Sequence, residues 1–237
     1  MSKNIRLREV KKIGKYNSTF TRVKPVFDSI FALGESGGSW LPKLLRLPSI
    51  RGKKVSLHLP NNLGLICSHW GDNEKQLRPP ISLLRWLVQN LEHSVADGLR
   101  GSGETISKRK ALINKDKQTP ENALVLLSEP SIPDEGWYIL EGITHPDVYL
   151  ETPDLIVVIE GKRTEREPTR KTKWMRTRDQ MLRHLDCAHE LNGLKKIVGF
   201  YIVEGGEKRE LVTVPEKWIK FAEETISCKI VNESLPH

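Results

Sequence analysis

Thr144-His-Pro-Asp-Val-Tyr-Leu-Glu-Thr-Pro-Asp-Leu-Ile-Val-Val-Ile-Glu-Gly-Lys-Arg-Thr-Glu165 is the stretch that decides how this 237-residue chain folds. Glu151-Thr-Pro-Asp154 sets a proline and an aspartate between a β-rich segment and the apolar run Leu155 to Ile159, which reads as a turn joining two strands. A symmetric hairpin about Pro153-Asp154 pairs Thr152 with Leu155 and, carried outward, sets Asp147 opposite Glu160. Opposed residues lie about 4.5 to 5.5 Å apart on one face. Alternation then puts Ile156, Val158, Glu160 and Lys162 on that face and Leu155, Val157, Ile159 and Gly161 on the other. A loop with one more residue would turn Asp147 away, so the expectation depends on register.

Two acids and a lysine at the end of a strand long enough to be buried on both faces are costly unless they are paired or hold an ion. The arrangement is one in which a divalent cation and a phosphodiester could meet. Asp154 also follows a proline upstream of Glu160, but six extended residues place it roughly 20 Å from Glu160. Ligands of one magnesium ion converge to about 2.0 to 2.1 Å from it. Asp147 is therefore the partner expected for Glu160.

Pro146-Asp147 and Glu160-Gly161-Lys162, with a thirteen-residue step from Asp147 to Glu160, resemble the PD-(D/E)XK phosphodiesterase superfamily, which includes many restriction and repair nucleases. The order of elements over about residues 80 to 204 resembles that superfamily's αβββαβ core. Ile81 to Leu99 has helical apolar spacing, Trp137 to Glu141 is a short strand candidate, the hairpin follows, Trp174 to Leu191 is again helical, and Lys196 to Val203 reads as a buried strand. The fold class expected is mixed α/β, a central mixed sheet flanked by helices with a restriction endonuclease-like core. The domain expectation is a basic N-terminal subdomain over residues 1–78, contacting DNA or a second protomer, and a nuclease core over 79–237 with a polar inserted loop near 100–122. Val55 to Leu59 and Leu63 to Cys67 suggest a hairpin in the first part, and Lys217 to Thr225 a closing helix in the second.

The resemblance implies a magnesium-dependent endonuclease acting on DNA in restriction, defence or DNA processing, with manganese able to substitute. Asp147, Glu160 and Lys162 would be catalytic, and Asp147, Glu160 and the carbonyl of Gly161 would hold the ion. Lys162 would position or deprotonate the attacking water, or neutralise the phosphorane. Glu92, Glu141 and Gln180 are auxiliary candidates. Alternatives are a junction resolvase or transposition-associated nuclease with the same triad, and a non-catalytic DNA-binding protein. A homodimer is expected by analogy, because cutting both strands usually takes two active sites.

Charge fits a nucleic-acid partner. The net charge is +8, and residues 1–60 carry 13 Lys and Arg against 3 Asp and Glu, so the basicity is N-terminal. Arg163, Arg170, Lys171, Lys173 and Arg176, with Arg178 beyond, cluster around Trp174 and are expected to contact the DNA backbone, double-stranded for preference. A nucleotide cofactor is not expected: Gly98-Leu-Arg-Gly-Ser-Gly-Glu-Thr105 has phosphate-loop glycine spacing, but Glu104 stands where the lysine is needed. Zinc at Cys67-x-His69 and Cys187-x-His189 is disfavoured, since in the second pair residues two apart on a helix diverge by about 200° and cannot both reach one ion. No apolar stretch of about 18 residues suggests a membrane span, and three dispersed cysteines form no disulfide framework, so a cytoplasmic, reducing setting is expected.

Overall fold

The computed structural model describes residues 19, 23–50, 53–54, 59–94, 102–116, 118–162, 179–191 and 195–203. Helix α1 spans Lys24–Phe31 and is followed by the single turn α2, Leu41–Leu44. A two-residue ladder joins β1, Ser49–Ile50, to β2, Lys53–Lys54. Then come β3, Cys67–Trp70, three helices α3, Ile81–Gln89, α4, Gly103–Ile113, and α5, Thr119–Leu126, the hairpin β4, Val148–Glu151, and β5, Leu155–Lys162, helix α6, Gln180–Leu191, and β6, Lys196–Val203.

One four-stranded mixed sheet in the order β3-β4-β5-β6 carries the architecture, antiparallel across the first two pairings and parallel across the last. Parallel neighbours need a crossover, and α6 supplies it between β5 and β6. The hairpin register is the symmetric one: Val148 lies opposite Ile159 and Glu151 opposite Ile156. Its turn is closed by Thr152, whose amide donates to the Leu155 carbonyl at 2.8 Å while its hydroxyl oxygen accepts from the Leu155 amide at 2.9 Å. That local bond is why a proline-containing turn of this length fixes register without glycine.

All eight residues of β5 are buried, as a strand covered on both faces requires. On one face Tyr149, Ile156 and Val158 pack beneath Met181, Leu182, Leu185 and Ala188 of α6. The helix approaches β6 at Gly199, where a Cβ would stand 2.6 Å from Met181 Sδ and 2.9 Å from Leu185 Cδ2. On the other face Val148, Leu150, Leu155, Val157 and Ile159 meet Phe27 of α1 and Leu41, Leu44 and Leu45 at α2. The alternation expected from the sequence therefore holds along β5. A separate cluster joins Leu84, Leu87 and Val88 of α3 to Leu112 of α4, Ala123 of α5 and Tyr138 to Leu140.

Several expectations about elements are corrected. The segment near 100–122 is not a loop across its described residues but contains α4, capped by the Ser102 hydroxyl on the Thr105 amide, and the first half of α5, which has Pro120 in its first turn. Trp137 to Glu141 is a turn at Trp137-Tyr138 followed by irregular chain instead of a strand; Arg109 of α4 donates to the carbonyls of Gly136, Trp137 and Ile139 and fixes the segment against the helices. The strand beside the hairpin is β3, far upstream, so helix α3 follows the first core strand and α1 precedes it. Among their described residues, the N-terminal 78 thus supply helices α1 and α2 against one face of the sheet and β3 as its edge strand. The helix expected over Ile81 to Leu99 ends at Gln89 and gives way to a 3-10 turn, Leu91–His93, and of the strand expected at Leu63 to Cys67 only Cys67 is extended. Residues 95–99, residues 55–58 of the other strand of that hairpin, the basic cluster at Arg163, Arg170, Lys171, Lys173 and Arg176, and the helix proposed at Lys217 to Thr225 lie outside the described residues. Among the described residues no helix is long and apolar enough to cross a membrane.

Candidate active site

The end of β5 presents Glu160, Gly161 and Lys162 beside the entry to β4, where Asp147 immediately precedes the first paired residue. Asp147 Oδ2 accepts the Gly161 amide at 2.8 Å, and its Oδ1 accepts the Thr19 hydroxyl. Burial, and then the charge of Glu160, hold the Asp147 carboxyl above its ordinary range, although Thr19, Gly161 and Lys162 all pull the other way. Two carboxylates of like charge thus share one water-poor corner, with Asp147 7% and Glu160 3% exposed.

Glu160 is held from the α6 side. Its Oε1 lies 2.7 Å from His184 Nε2, and its Oε2 lies 3.6 Å from Lys162 Nζ. Lys162 Nζ donates to Gln180 Oε1 at 2.8 Å and stands 5.9 Å above the Tyr201 ring. The Tyr201 hydroxyl donates to Asp179 Oδ1 at 3.2 Å, and the same oxygen caps α6 by accepting the Met181 amide at 2.8 Å. Burial raises the Asp179 carboxyl, and it raises the Tyr201 phenol far above its usual range, with the charge of Asp179 next in size. Both groups are therefore held in their uncharged direction beside a lysine.

Asp147, Glu160, Lys162 and Gln180 are brought together, as the hairpin and the position of α6 demand. The other two auxiliary candidates are not. Glu92 sits on the surface in a short 3-10 turn and pairs with Lys115 at 3.3 Å. Glu141 is fully buried and pairs with Arg183 Nε of α6 at 3.6 Å. Asp154 lies at the opposite end of the hairpin, where its carbonyl accepts the Lys196 amide.

Comparison with family models, curated proteins and solved structures finds no match.

The site contains residues that the sequence reading did not assign. Glu74 follows the 3-10 turn Gly71–Asn73, and its carboxyl is raised by burial and by the charges of Asp147 and Glu160, with a bond from Thr19 opposing. His184 and Asp179 carried readable signals: one lies four residues from Gln180 on a helix, and the other immediately precedes that helix at a capping position. Nothing in the sequence joins Thr19 or Glu74 to Asp147, because only tertiary packing does.

Among the described residues, no group of three or more His, Cys, Asp or Glu side chains is placed to hold a metal ion. Magnesium, however, is commonly bound through one or two carboxylates with its remaining positions on water and substrate oxygen. The donors at this corner are all oxygen, two of them mutually repelling carboxylates. An extended residue presents its amide and carbonyl along one strand edge, so the Gly161 carbonyl lies on the edge from which its amide reaches Asp147. Asp147, Glu160 and this carbonyl are a chemically fitting set for a hard divalent cation.

Gly161 itself leaves no room for a side chain, since a Cβ would stand 2.4 Å from Val23 Cγ2 and 3.3 Å from Asp147 Oδ2. Gly161→Ala is expected to destabilise the fold by about 1 to 3 kcal/mol, the usual range for overpacking, and to displace the Asp147 carboxylate. Denaturant unfolding checks the first effect; a variant as stable as the parent would contradict it.

Proposed function

We propose that this protein is a magnesium-dependent phosphodiesterase that cuts DNA internally, with Asp147, Glu160 and Lys162 as its reacting-site residues. The observation that carries this reading is the buried Asp147-Glu160 corner, in which one carboxyl is held above its ordinary range by burial and by the other, with a lysine on the same strand face two residues on. Burying two interacting like charges is unfavourable for a fold and favourable for a cation. The helix-strand-strand-strand-helix-strand order of α1, β3, β4, β5, α6 and β6, with α3 to α5 set between β3 and β4, also supports a restriction endonuclease-like core.

Bound magnesium would polarise the scissile phosphate and lower the pKa of an attached water. The protein's own groups do the rest. Asp147 and Glu160 supply negative charge and orientation at the ion. Gln180 accepts from Lys162 and holds its ammonium beside Glu160, where it can donate to a phosphate oxygen or orient the water that attacks. The Tyr201 ring lies beneath the ammonium as a cation–π partner and helps to hold it in place. DNA itself, as a homodimer's substrate, would be retained by the basic cluster from Arg163 to Arg176 and by the basic N-terminal region.

Incubation of purified protein with supercoiled plasmid, with magnesium and with chelator, tests the reading. Nicked or linear product is expected only with magnesium, and not with Asp147→Ala. Plasmid that stays supercoiled under every condition, or cleavage that persists in Asp147→Ala, would overturn it.

A further inference from the structure

His184 is completely buried on α6 between two groups. Its Nε2 lies 2.7 Å from Glu160 Oε1, and its Nδ1 lies 2.8 Å from the Thr144 hydroxyl. An ionised carboxylate only accepts, so Nε2 carries the proton in this contact. In the neutral ring Nδ1 then has a lone pair, and the Thr144 hydroxyl donates to it. Thr144 is fixed in turn by reciprocal backbone bonds with Leu77, each 2.9 Å. A chain of hydrogen bonds therefore runs from a backbone-anchored threonine through an imidazole to one oxygen of Glu160.

The helix geometry shows why this histidine reaches that oxygen. Gln180 and His184 are four residues apart, about 6 Å along the helix axis. Glu160 and Lys162 are two residues apart, about 6.6 Å along the strand. The two spacings nearly match. One face of α6 thus engages both charged groups of β5, Gln180 taking Lys162 and His184 taking Glu160. Stability gives no reason for the arrangement, since an apolar replacement of a buried polar pair is often neutral or stabilising. What the chain does is direct Glu160 Oε1 into α6 and leave Oε2 on the side of Lys162.

We propose that His184 is a positioning residue that fixes the orientation of the Glu160 carboxylate for cation binding, with Thr144 setting its tautomer; this rests on the nuclease reading above. The residue touches neither ion nor substrate. Its contribution is that Glu160 meets the cation without first losing rotamer freedom, which is what outer partners of metal-binding carboxylates provide.

The test compares His184→Gln, His184→Asn and Thr144→Val with the parent chain at one fixed pH, by magnesium titration of plasmid cleavage, by calorimetric magnesium binding without DNA, and by thermal melting. The amide nitrogen of glutamine reaches roughly where Nε2 stands, and that of asparagine roughly where Nδ1 stands. His184→Gln is therefore expected to stay within several-fold of the parent. His184→Asn is expected to need about 10- to 100-fold more magnesium, the usual effect of losing such a partner, with Thr144→Val between them. A purely structural role would lower the melting temperature of both His184 variants without separating their magnesium affinities. Gln and Asn variants with the same magnesium dependence, in a parent that cleaves and binds magnesium, overturn this inference alone. A parent that neither cleaves nor binds magnesium overturns the nuclease reading and this inference with it.

Discussion

Replacing Lys162 by alanine is expected to reduce magnesium-dependent plasmid cleavage by at least about 10²-fold, the scale on which loss of one preorganised donor acts. DNA retention in a gel shift should be unchanged, because the groups expected to hold the backbone lie elsewhere. Lys162 is 8% exposed, bonded to Gln180 at 2.8 Å and within 3.6 Å of Glu160, so its ammonium is oriented before substrate arrives. Removing it also takes a cation from beside a buried carboxylate, and such losses destabilise. Lys162→Met separates the two effects by keeping the aliphatic stem while deleting the charge. Both variants should be inactive, and the methionine variant should melt closer to the parent. Single-turnover rates within a few-fold of the parent in the folded methionine variant would remove the lysine from the chemistry.

The second large effect is of opposite sign for stability and activity. Asp147→Asn is expected to abolish cleavage and yet raise the melting temperature at pH 7. Burial and Glu160 raise the Asp147 carboxyl in the folded protein, so the folded state binds its proton more tightly than the unfolded state does. Stability from this group is therefore fully present below the ordinary carboxylate range and is lost as the pH climbs through the raised folded value. At neutral pH the parent carries the whole penalty. Asparagine can still accept the Gly161 amide and donate to Thr19 without the charge, and a gain of about 2 to 4 °C is expected, what about 1 kcal/mol produces in a chain this long. The gain should shrink as the pH falls into the carboxylate range. Magnesium should raise the melting temperature of the parent more than that of the variant, since a ligand of the folded state alone stabilises it. A variant that melts below the parent at pH 7 and keeps the same magnesium response would show that Asp147 is a structural acid.

The hairpin was legible because its determinants are local. Thr152, Pro153 and Asp154 close their own turn, and a period of two carries the register six residues outward to Asp147 and Glu160. Gln180 was reached through the resemblance and not through a local pattern; its bond to Lys162 comes from the packing of α6 beside the strand. Trp137 to Leu140 misled because an aromatic and aliphatic run suits a strand and a helical cluster equally; what decides is Arg109, which reaches its carbonyls from another helix. Helices α4 and α5 were obscured by their polar surface, although Ser102 as a cap and Pro120 at a helix start were available signals. Strand β3 was hidden for a different reason. Four half-buried residues, Cys67 to Trp70, acquire strand character only from partners 78 to 84 positions later, and no local pattern encodes that.

This distance between β3 and β4 bears on how the chain reaches its native state. A ribosome must release β3 and then the whole of α3, α4 and α5 before any residue of β4 emerges. The intervening helices have an apolar cluster of their own and can condense meanwhile. The edge of β3 must wait, and closing so long a loop is an entropic toll that local contacts do not repay until the hairpin arrives. A chain free of the ribosome only as far as Glu141 can therefore form the helical unit while the central sheet is unstarted.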